Sequence, residues 1–228
     1  MNWPVECIVI IPCLNEGATI SGLVEQVKRV LPHIVVVDDG SNDDTAQNAR
    51  NAGAQVIRHE RTLGKGAALQ TGTKYARQKG VGWVLTMDGD GQHAPEDVSS
   101  LLSAAEEGGA DLIIGNRMAD THTMPWIRRM VNRWMSGQLS RLAGISIPDS
   151  QCGFRLMRME PLSSLSLETS HFEIESEVLW GFIRRKLLVR FVPVRTIYKE
   201  ERSKIHPVRD TIRWLRWWRH ARRSIRSR

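Results

Sequence analysis

Hydrophobic positions along the chain fall into two rhythms. Short apolar runs at residues 5–12, 34–37, 54–58, 83–87, 111–115 and 187–194 have the length of strands, and 34–37 has the β-branched content of a strand covered on both faces. Between them apolar residues recur at steps of three and four. Ile20, Leu23, Val24, Val27 and Val30 form one face of a helix beginning at Asn15-Glu16, and further helices are expected from Asp44, over 66–78 and from about 95 to 106. Strand and helix alternate as far as Arg117, which predicts an α/β fold with a doubly wound, mostly parallel sheet. Beyond Arg117 the rhythm changes. Residues 124–142 read as an amphipathic helix carrying Arg128, Arg129, Arg133 and Arg141, and Asp149 to Arg155 as a turn entering a short extended piece. A helix over 172–185 has Glu173, Glu175 and Glu177 on its first turns, and a basic, tryptophan-containing helix closes the chain over 205–228. The organisation expected is one domain over 1–204 followed by an amphipathic segment over 205–228.

Composition refines this picture. A chain of 228 residues is long enough for one sizeable core. Its three cysteines have no metal-type spacing, which fits free, buried thiols in a reducing compartment. Met1-Asn2-Trp3-Pro4 carries no basic and apolar leader, and no run approaches the ~18 apolar residues of a membrane span, so neither signal peptide nor spanning helix is expected. The net charge is +7, and the residues after Ile205 hold eight arginines against one acidic residue. That bias points to an anionic partner, a lipid surface or nucleic acid.

Candidate chemistry gathers where strands end. In open α/β sheets ligands bind outside the carboxyl ends of the strands, and Asp38-Asp39, Asp88-Gly89-Asp90 and Asn116-Arg117 all fall there. Alternation continued from the strand would turn Asp88, Asp90 and Gln92 to one side, where three hard oxygens suit Mg2+ or Mn2+. An acidic, glycine-rich turn is the plainer reading of the same residues. Ser41 and Asp44 resemble a helix capping box, which leaves the pair Asp38 and Asp39 for a base edge or a ribose hydroxyl. Leu63-Gly64-Lys65-Gly66 is not a P-loop, because His59 stands where that motif has its first glycine and no Ser or Thr follows Lys65. A lysine opening a helix there can contact a phosphate or a base, or simply be solvated.

Four stretches together resemble the family 2 glycosyltransferases of GT-A fold: Ile10-Ile11-Pro12-Cys13-Leu14-Asn15-Glu16, Val37-Asp38-Asp39-Gly40-Ser41, Gly64-Lys65-Gly66-Ala67-Ala68 and Asp88-Gly89-Asp90-Gly91-Gln92-His93-Ala94-Pro95-Glu96. Gly115-Asn116-Arg117 and Asp149-Ser150-Gln151-Cys152-Gly153-Phe154-Arg155 are similar to the branch containing dolichyl-phosphate mannose synthase and bacterial polyprenyl-phosphate glycosyltransferases. The likeness runs from about Val5 to Lys204. It implies that Asp38 and Asp39 lie near the nucleoside, with Pro12, Asn15, Glu16, Lys65, Asp88 and Arg202 completing the nucleotide site. It implies that Asp88, Asp90 and Gln92 surround the metal. It also implies that Arg117 and Arg133, with Ser136 and Arg155, hold the acceptor, so that Asp90, Arg117 and Arg133 carry the catalysis. Two departures stand out. Glu201-Arg202-Ser203-Lys204 lacks the glycine of the branch's Arg-x-Gly-x-Ser-Lys pattern, and this chain has a basic tail where many members have C-terminal membrane helices.

The resemblance implies an inverting, metal-dependent transfer from a GDP- or UDP-linked sugar to a lipid phosphate or glycolipid, with a polyprenyl phosphate first in order. A phosphate monoester has a second pKa near 6, is largely dianionic at neutral pH and needs no general base. The alternative is a hydroxyl acceptor, which needs a carboxylate base, with Asp149, Glu173 and Glu175 as candidates. A non-catalytic basic module on nucleic acid ranks last, because rim carboxylates would repel phosphate, and no nucleic-acid partner is expected. On a helical wheel of the tail, Val208, Ile212, Trp214, Leu215, Trp218, Ala221 and Ile225 occupy one half and the arginines mostly the other, with Trp217 at the polar side's edge. The pattern predicts docking on the inner, cytoplasmic face of a membrane; a helix packed on the domain is the competing expectation.

Overall fold

The computed structural model describes residues 1–122, 124–197 and 207–226. In chain order the elements are α1 (Trp3–Glu6), β1 (Cys7–Cys13), α2 (Ile20–Lys28), β2 (Ile34–Asp38), α3 (Thr45–Asn51), β3 (Gln55–Arg58), α4 (Lys65–Gln78), β4 (Trp83–Thr86) and α5 (Val98–Gly108). They continue with β5 (Leu112–Asn116), α6 (Trp126–Ala143), β6 (Arg155–Arg158), α7 (Met159–Ser163), α8 (Ile174–Arg184), β7 (Val189–Pro193) and α9 (Pro207–Arg226). The strands form one seven-stranded sheet in the order β3-β2-β1-β4-β6-β5-β7. All neighbours pair in parallel except β6, which runs antiparallel between β4 and β5. The sheet is mostly parallel and lies in a single domain, as the alternation predicts.

β1 and β2 are buried almost throughout, as strands covered on both faces must be, and the apolar side chains of α2, α4 and α5 pack onto them and onto β4. Helix α4 crosses β1 so closely that a Cβ at Gly72 would overlap the Ile10 side chain. The cysteines are free and buried, and burial pushes the Cys7 and Cys152 thiols up to about 12.

Two expectations are corrected and one is made more definite. The helix expected from Asn15-Glu16 starts only at Ile20, because Asn15 adopts a left-handed conformation (φ 52°) and the loop is held by side chains of the next segment. The extended piece after Asp149 is a central strand, β6, whose Arg155 is 1% exposed; arginines at both ends hide a buried strand from a reading by hydrophobicity. The wheel of the tail is rotated. Trp214 is 2% exposed and Ala221 is buried, Trp217 packs against the core, and Ile212 faces outward. Trp214 donates from Nε1 to Ser176 Oγ at 2.8 Å and rests on Trp134 of α6 with ring centroids 5.5 Å apart. The inward stripe of α9 is therefore Asp210, Trp214, Trp217, Trp218 and Ala221, and it is spent on the domain.

Candidate active site

The carboxyl ends of β1, β2 and β4 lie side by side, with Cys13 opposite Asp38 and Ile10 opposite Thr86. The loop after β1 is tied to the loop after β2: Asn15 N donates to Ser41 Oγ, Asn42 N to Asn15 Oδ1 and Glu16 N to Thr45 Oγ1, at 2.8–2.9 Å. Asp38 is fully buried. One of its oxygens accepts from Ser41 N at 3.0 Å, and the other lies 3.2 Å from Arg58 Nε. Asp39 holds the loop ahead of α4 by accepting from Leu63 N and Gly64 N, at 2.9 and 2.8 Å, with His59 Nδ1 at 2.7 Å. The pair Asp38-Asp39 thus shapes the cradle at the end of β2. Pro12, Asn15 and Glu16 line the adjoining edge.

The Gly64-Lys65-Gly66 stretch is explained by a crossing segment. A Cβ at Gly66 would lie 2.7 Å from the Ser170 carbonyl carbon, and Ala67 N donates to Ser170 O at 3.2 Å. That docking aims Lys65 inward, where Nζ lies 2.6 Å from Asp88 and 2.8 Å from Glu175. Glu175 in turn meets Arg155 Nε at 3.1 Å, giving an alternating chain of four charges. Burial alone would lower the lysine, but the two carboxylates hold it protonated well above its ordinary value. Burial alone would raise Asp88, but Lys65 and His93 hold it far below the usual carboxylate range. Gly153 has no side chain because a Cβ would sit 2.8 Å from both Asp88 oxygens. His93, 2% exposed, lies against Phe154 and brings Nε2 to 3.5 Å of Asp88, with no hydrogen bond to either ring nitrogen.

Asp88, Asp90 and Gln92 lie in the turn beyond β4, so their placement comes from the turn and not from strand alternation. Gln92 N donates to Asp90 Oδ1 at 3.0 Å, and Thr19 Oγ1 donates to Gly89 O at 2.8 Å, fixing the turn against α2. Gln92 Oε1 accepts from Arg128 at 3.2 Å. Among the described residues no three His, Cys, Asp or Glu side chains converge as a cage. Mg2+ needs none, since one or two carboxylates with substrate phosphates and water suffice. Asp88, Asp90 and the Gln92 amide fit such an ion.

Across the rim, Arg117 grips Asp149 in a fork, Nε to Oδ2 at 2.8 Å and Nη2 to Oδ1 at 3.0 Å. Asn132 and the amide of Gln151 also donate to Asp149, at 2.9 and 3.1 Å. Burial would raise this carboxyl, but Arg117 and the hydrogen bonds hold it below its ordinary value. Ser136 is buried between Asn132 and Ser150, and Arg155 is saturated by the carbonyls of Cys152, Ser150 and Glu175. These two expected acceptor residues sit behind the surface, in the scaffold that carries Asp149 and Glu175. Arg133 is exposed on the flank of α6. Arg202 lies outside the described residues. Arg128 was not among the residues expected at the site; its signal was the four-residue step to Asn132 and Ser136 on the same face of α6.

Residues 8–166 match the family model described as Glycosyl transferase family 2. The chain belongs to that family. It is a glycosyltransferase, and its relatives agree. The polyprenol monophosphomannose synthase of Mycolicibacterium smegmatis is 32% identical to it, over 85% of this chain and 78% of the relative. The UDP-N-acetylglucosamine–dolichyl-phosphate N-acetylglucosaminyltransferase of Methanococcus voltae is 31% identical, over 84% and 86%. Among solved structures, the glucosyl-3-phosphoglycerate synthase of Mycobacterium tuberculosis, in complex with Mn2+, UDP and glucosyl-3-phosphoglycerate, matches with a TM-score of 0.66. That match is 20% identical and covers 94% of this glycosyltransferase and 77% of the synthase, a likeness that establishes the GT-A fold alone.

Proposed function

We propose that this glycosyltransferase moves a sugar from a nucleoside diphosphate sugar to a polyprenyl phosphate at a membrane surface, with inversion at the anomeric carbon. The observation that carries the reading is the state of the carboxylates on the acceptor side. Asp149 is forked by Arg117, and Glu175 is clasped between Lys65 and Arg155. Both are already engaged by cations in ion pairs. A dianionic phosphate needs no base; it needs cations to orient it, and Arg117 and Arg128 stand at the rim, with Arg133 exposed on the flank of α6. The named relatives that act on polyprenol and dolichyl phosphates support the same acceptor class.

In this reading an acceptor phosphate oxygen attacks the anomeric carbon from the face opposite the diphosphate. The bond from that carbon to the diphosphate breaks, and the nucleoside diphosphate leaves with its electron pair. The cradle of Asp38, Asp39, Asn15 and Glu16 seats the nucleoside, GDP- or UDP-linked, and Lys65 faces the phosphates. Asp88, Asp90 and Gln92 would hold Mg2+ or Mn2+, which when bound neutralises charge on the departing diphosphate. A solved structure of the same fold that contains Mn2+ and UDP supports such an ion.

One observation favours a hydroxyl acceptor: Glu173 Oε2 is buried without a hydrogen-bond partner and could serve as base. The test is incubation with GDP- and UDP-sugars, Mg2+ or Mn2+, and either polyprenyl phosphate or saccharide hydroxyl acceptors, with products weighed by mass spectrometry. Formation of the lipid phosphate sugar is expected. Glycosylated saccharide with no lipid product would overturn the phosphate reading in favour of Glu173.

A further inference from the structure

The outward face of α6 is the feature of the surface that the site does not explain and that packing meets only at Trp134, which touches Trp214. Trp126, Met130 and Trp134 recur every four residues on one face with Ile127 beside them, and they are 63, 60, 44 and 51% exposed. The opposite face of the same helix carries Asn132, Met135, Ser136 and Leu139, all buried. Isolated exposed apolar residues are ordinary. Four large ones along two turns and more of one helix form a patch that a monomeric surface rarely leaves open.

The patch is bordered by cations. Arg133 and Arg141 are exposed on α6, and Arg209, Arg216, Arg219, Arg222 and Arg223 are exposed on α9. The Trp134–Trp214 contact holds the two helices together, so the arginines of α9 stand beside the apolar stripe of α6. Tryptophan, methionine and isoleucine flanked by arginine is the composition that rests at headgroup depth in an anionic bilayer. A second copy of this chain is a poorer occupant. Its own arginines would meet these, and the chain carries a net charge of +7. Among the described residues no helix is long and apolar enough to cross a membrane, so contact would be made along the surface.

We propose that α6 is the element that inserts into the bilayer, with Trp126, Ile127, Met130 and Trp134 entering the lipid while α9 supplies the attracting charge. This rests on the proposed lipid acceptor and goes further, because it moves insertion from the tail tryptophans to α6. It also gives α6 two faces with two partners. The outer face meets lipid, while Arg128 on the other side reaches Gln92, so a phosphate in the headgroup plane lies one helix width from the rim.

The experiment compares the full chain with the double variant Trp126→Ser, Met130→Ser. Binding is measured by co-sedimentation with vesicles of phosphatidylcholine alone or with phosphatidylglycerol. Transfer to polyprenyl phosphate in detergent is measured in parallel. The full chain is expected to bind anionic vesicles, and the variant to bind at least about tenfold more weakly, with transfer in detergent retained. An environment-sensitive label on Ile127→Cys, selective because the native thiols are buried, should enter an apolar medium when anionic vesicles are added. Equal vesicle binding by the variant, or a label that stays aqueous, overturns the insertion of α6. A concentration-dependent dimer that the double variant dissociates without vesicles also overturns it, in favour of a second copy. Absence of transfer in detergent by the unaltered chain overturns the lipid-phosphate reading itself, whatever the vesicles show.

Discussion

At the ends of β1 and β2 the rim is held by peptide N–H groups, whereas around β6 and α6 it is held by buried guanidinium groups and the carboxylates they meet. Asp39 and Asn15 accept from peptide N–H groups of loops within about 30 residues of them. Arg155, by contrast, joins Ser150, Cys152 and Glu175, and Asp149 joins Arg117 and Asn132. The first region is a cradle whose donors are peptide N–H groups. The second is a lattice of buried charge that exists only when the fold is complete, and a defect in it leaves an ion uncompensated.

The largest expected effect lies at the turn between the two regions. Asp90 is half-buried and accepts from Gln92 N within its own turn, so Asp90→Ala removes little from the core. Loss of a metal ligand should cost several kcal/mol of transition-state stabilisation, roughly a thousandfold in kcat. Thermal unfolding should stay within about 2 °C of the parent. Removal of the divalent ion by chelator should abolish turnover, and Mn2+ or Mg2+ should restore it. Full activity in chelator would take Asp88 and Asp90 out of the catalytic role.

Asp149→Ala should separate the regions most sharply. It leaves Arg117 without the partner that forks it, in a site where Asp149 itself is 0% exposed. Breaking a buried pair from one side costs about 3–5 kcal/mol, and for a chain of this size each kcal/mol shifts the melting temperature by roughly 2–4 °C. A fall near 10 °C is expected in calorimetry; a change below about 2 °C would mean the pair is solvated.

Glu175→Gln tests the lattice from the other end. The glutamine keeps the shape but removes one of the two carboxylates that face Lys65, so the lysine is free to shift relative to Asp88. Misplacement of a positioning group by about 1 Å can cost up to a hundredfold, so kcat should fall about ten- to a hundredfold while the melting temperature changes by only a few degrees. Glu175→Asp should recover part of the rate. Unaltered kcat in the glutamine variant would make the chain of four charges purely structural.

Legibility followed the same division. The apolar runs of β1, β2 and β4 are set by local periodicity and are readable to within a residue or two; the three-four spacing of α2 gives its buried face, though not its start at Ile20. The clusters at strand ends were readable because a parallel sheet puts those ends on one rim. The extended piece of β6 was readable but its central place was not, since Arg155 and Arg158 flank only two apolar residues and its burial depends on β4 and β5. The orientation of α9 differs because a helical wheel ranks faces by hydrophobicity: it sets Ile212 inward and Trp217 at the polar edge, whereas Ile212 is exposed and Trp217 packs against the core. The tie of Lys65 to Glu175 spans 110 positions of sequence, and no local pattern encodes it. Arg128 differs from Arg133 only in which side of α6 it leaves, which becomes visible once Asn132 and Ser136 are known to face inward.

The arginines of the acceptor side should divide in the same way. Arg133→Ala removes an exposed cation, so it should raise the KM for a lipid phosphate roughly tenfold, leave nucleotide-sugar affinity unchanged and spare the fold. Arg117→Ala should raise the same KM and also destabilise the protein, because it strands Asp149. Equal loss of donor affinity in Arg133→Ala, measured by calorimetric titration with the nucleotide-sugar, would contradict its place on the acceptor side.

The smallest effect is in pH dependence, and its sign follows from Asp149. A carboxyl whose folded pKa lies below its ordinary value of 3.8 contributes stability that is fully present above that value and is lost as pH falls through the folded one. The melting temperature should therefore be flat with respect to this group from about pH 5 to 8 and decline only below about pH 4. In Arg117→Ala the burial of Asp149 is no longer opposed by the guanidinium, so the carboxyl should rise and the decline should begin at higher pH. Melting curves of the two proteins at half-unit steps between pH 3 and 8 make the comparison. Parallel curves, offset by a constant, would show that Arg117 does not set the ionisation of Asp149 and that the fork acts through shape alone.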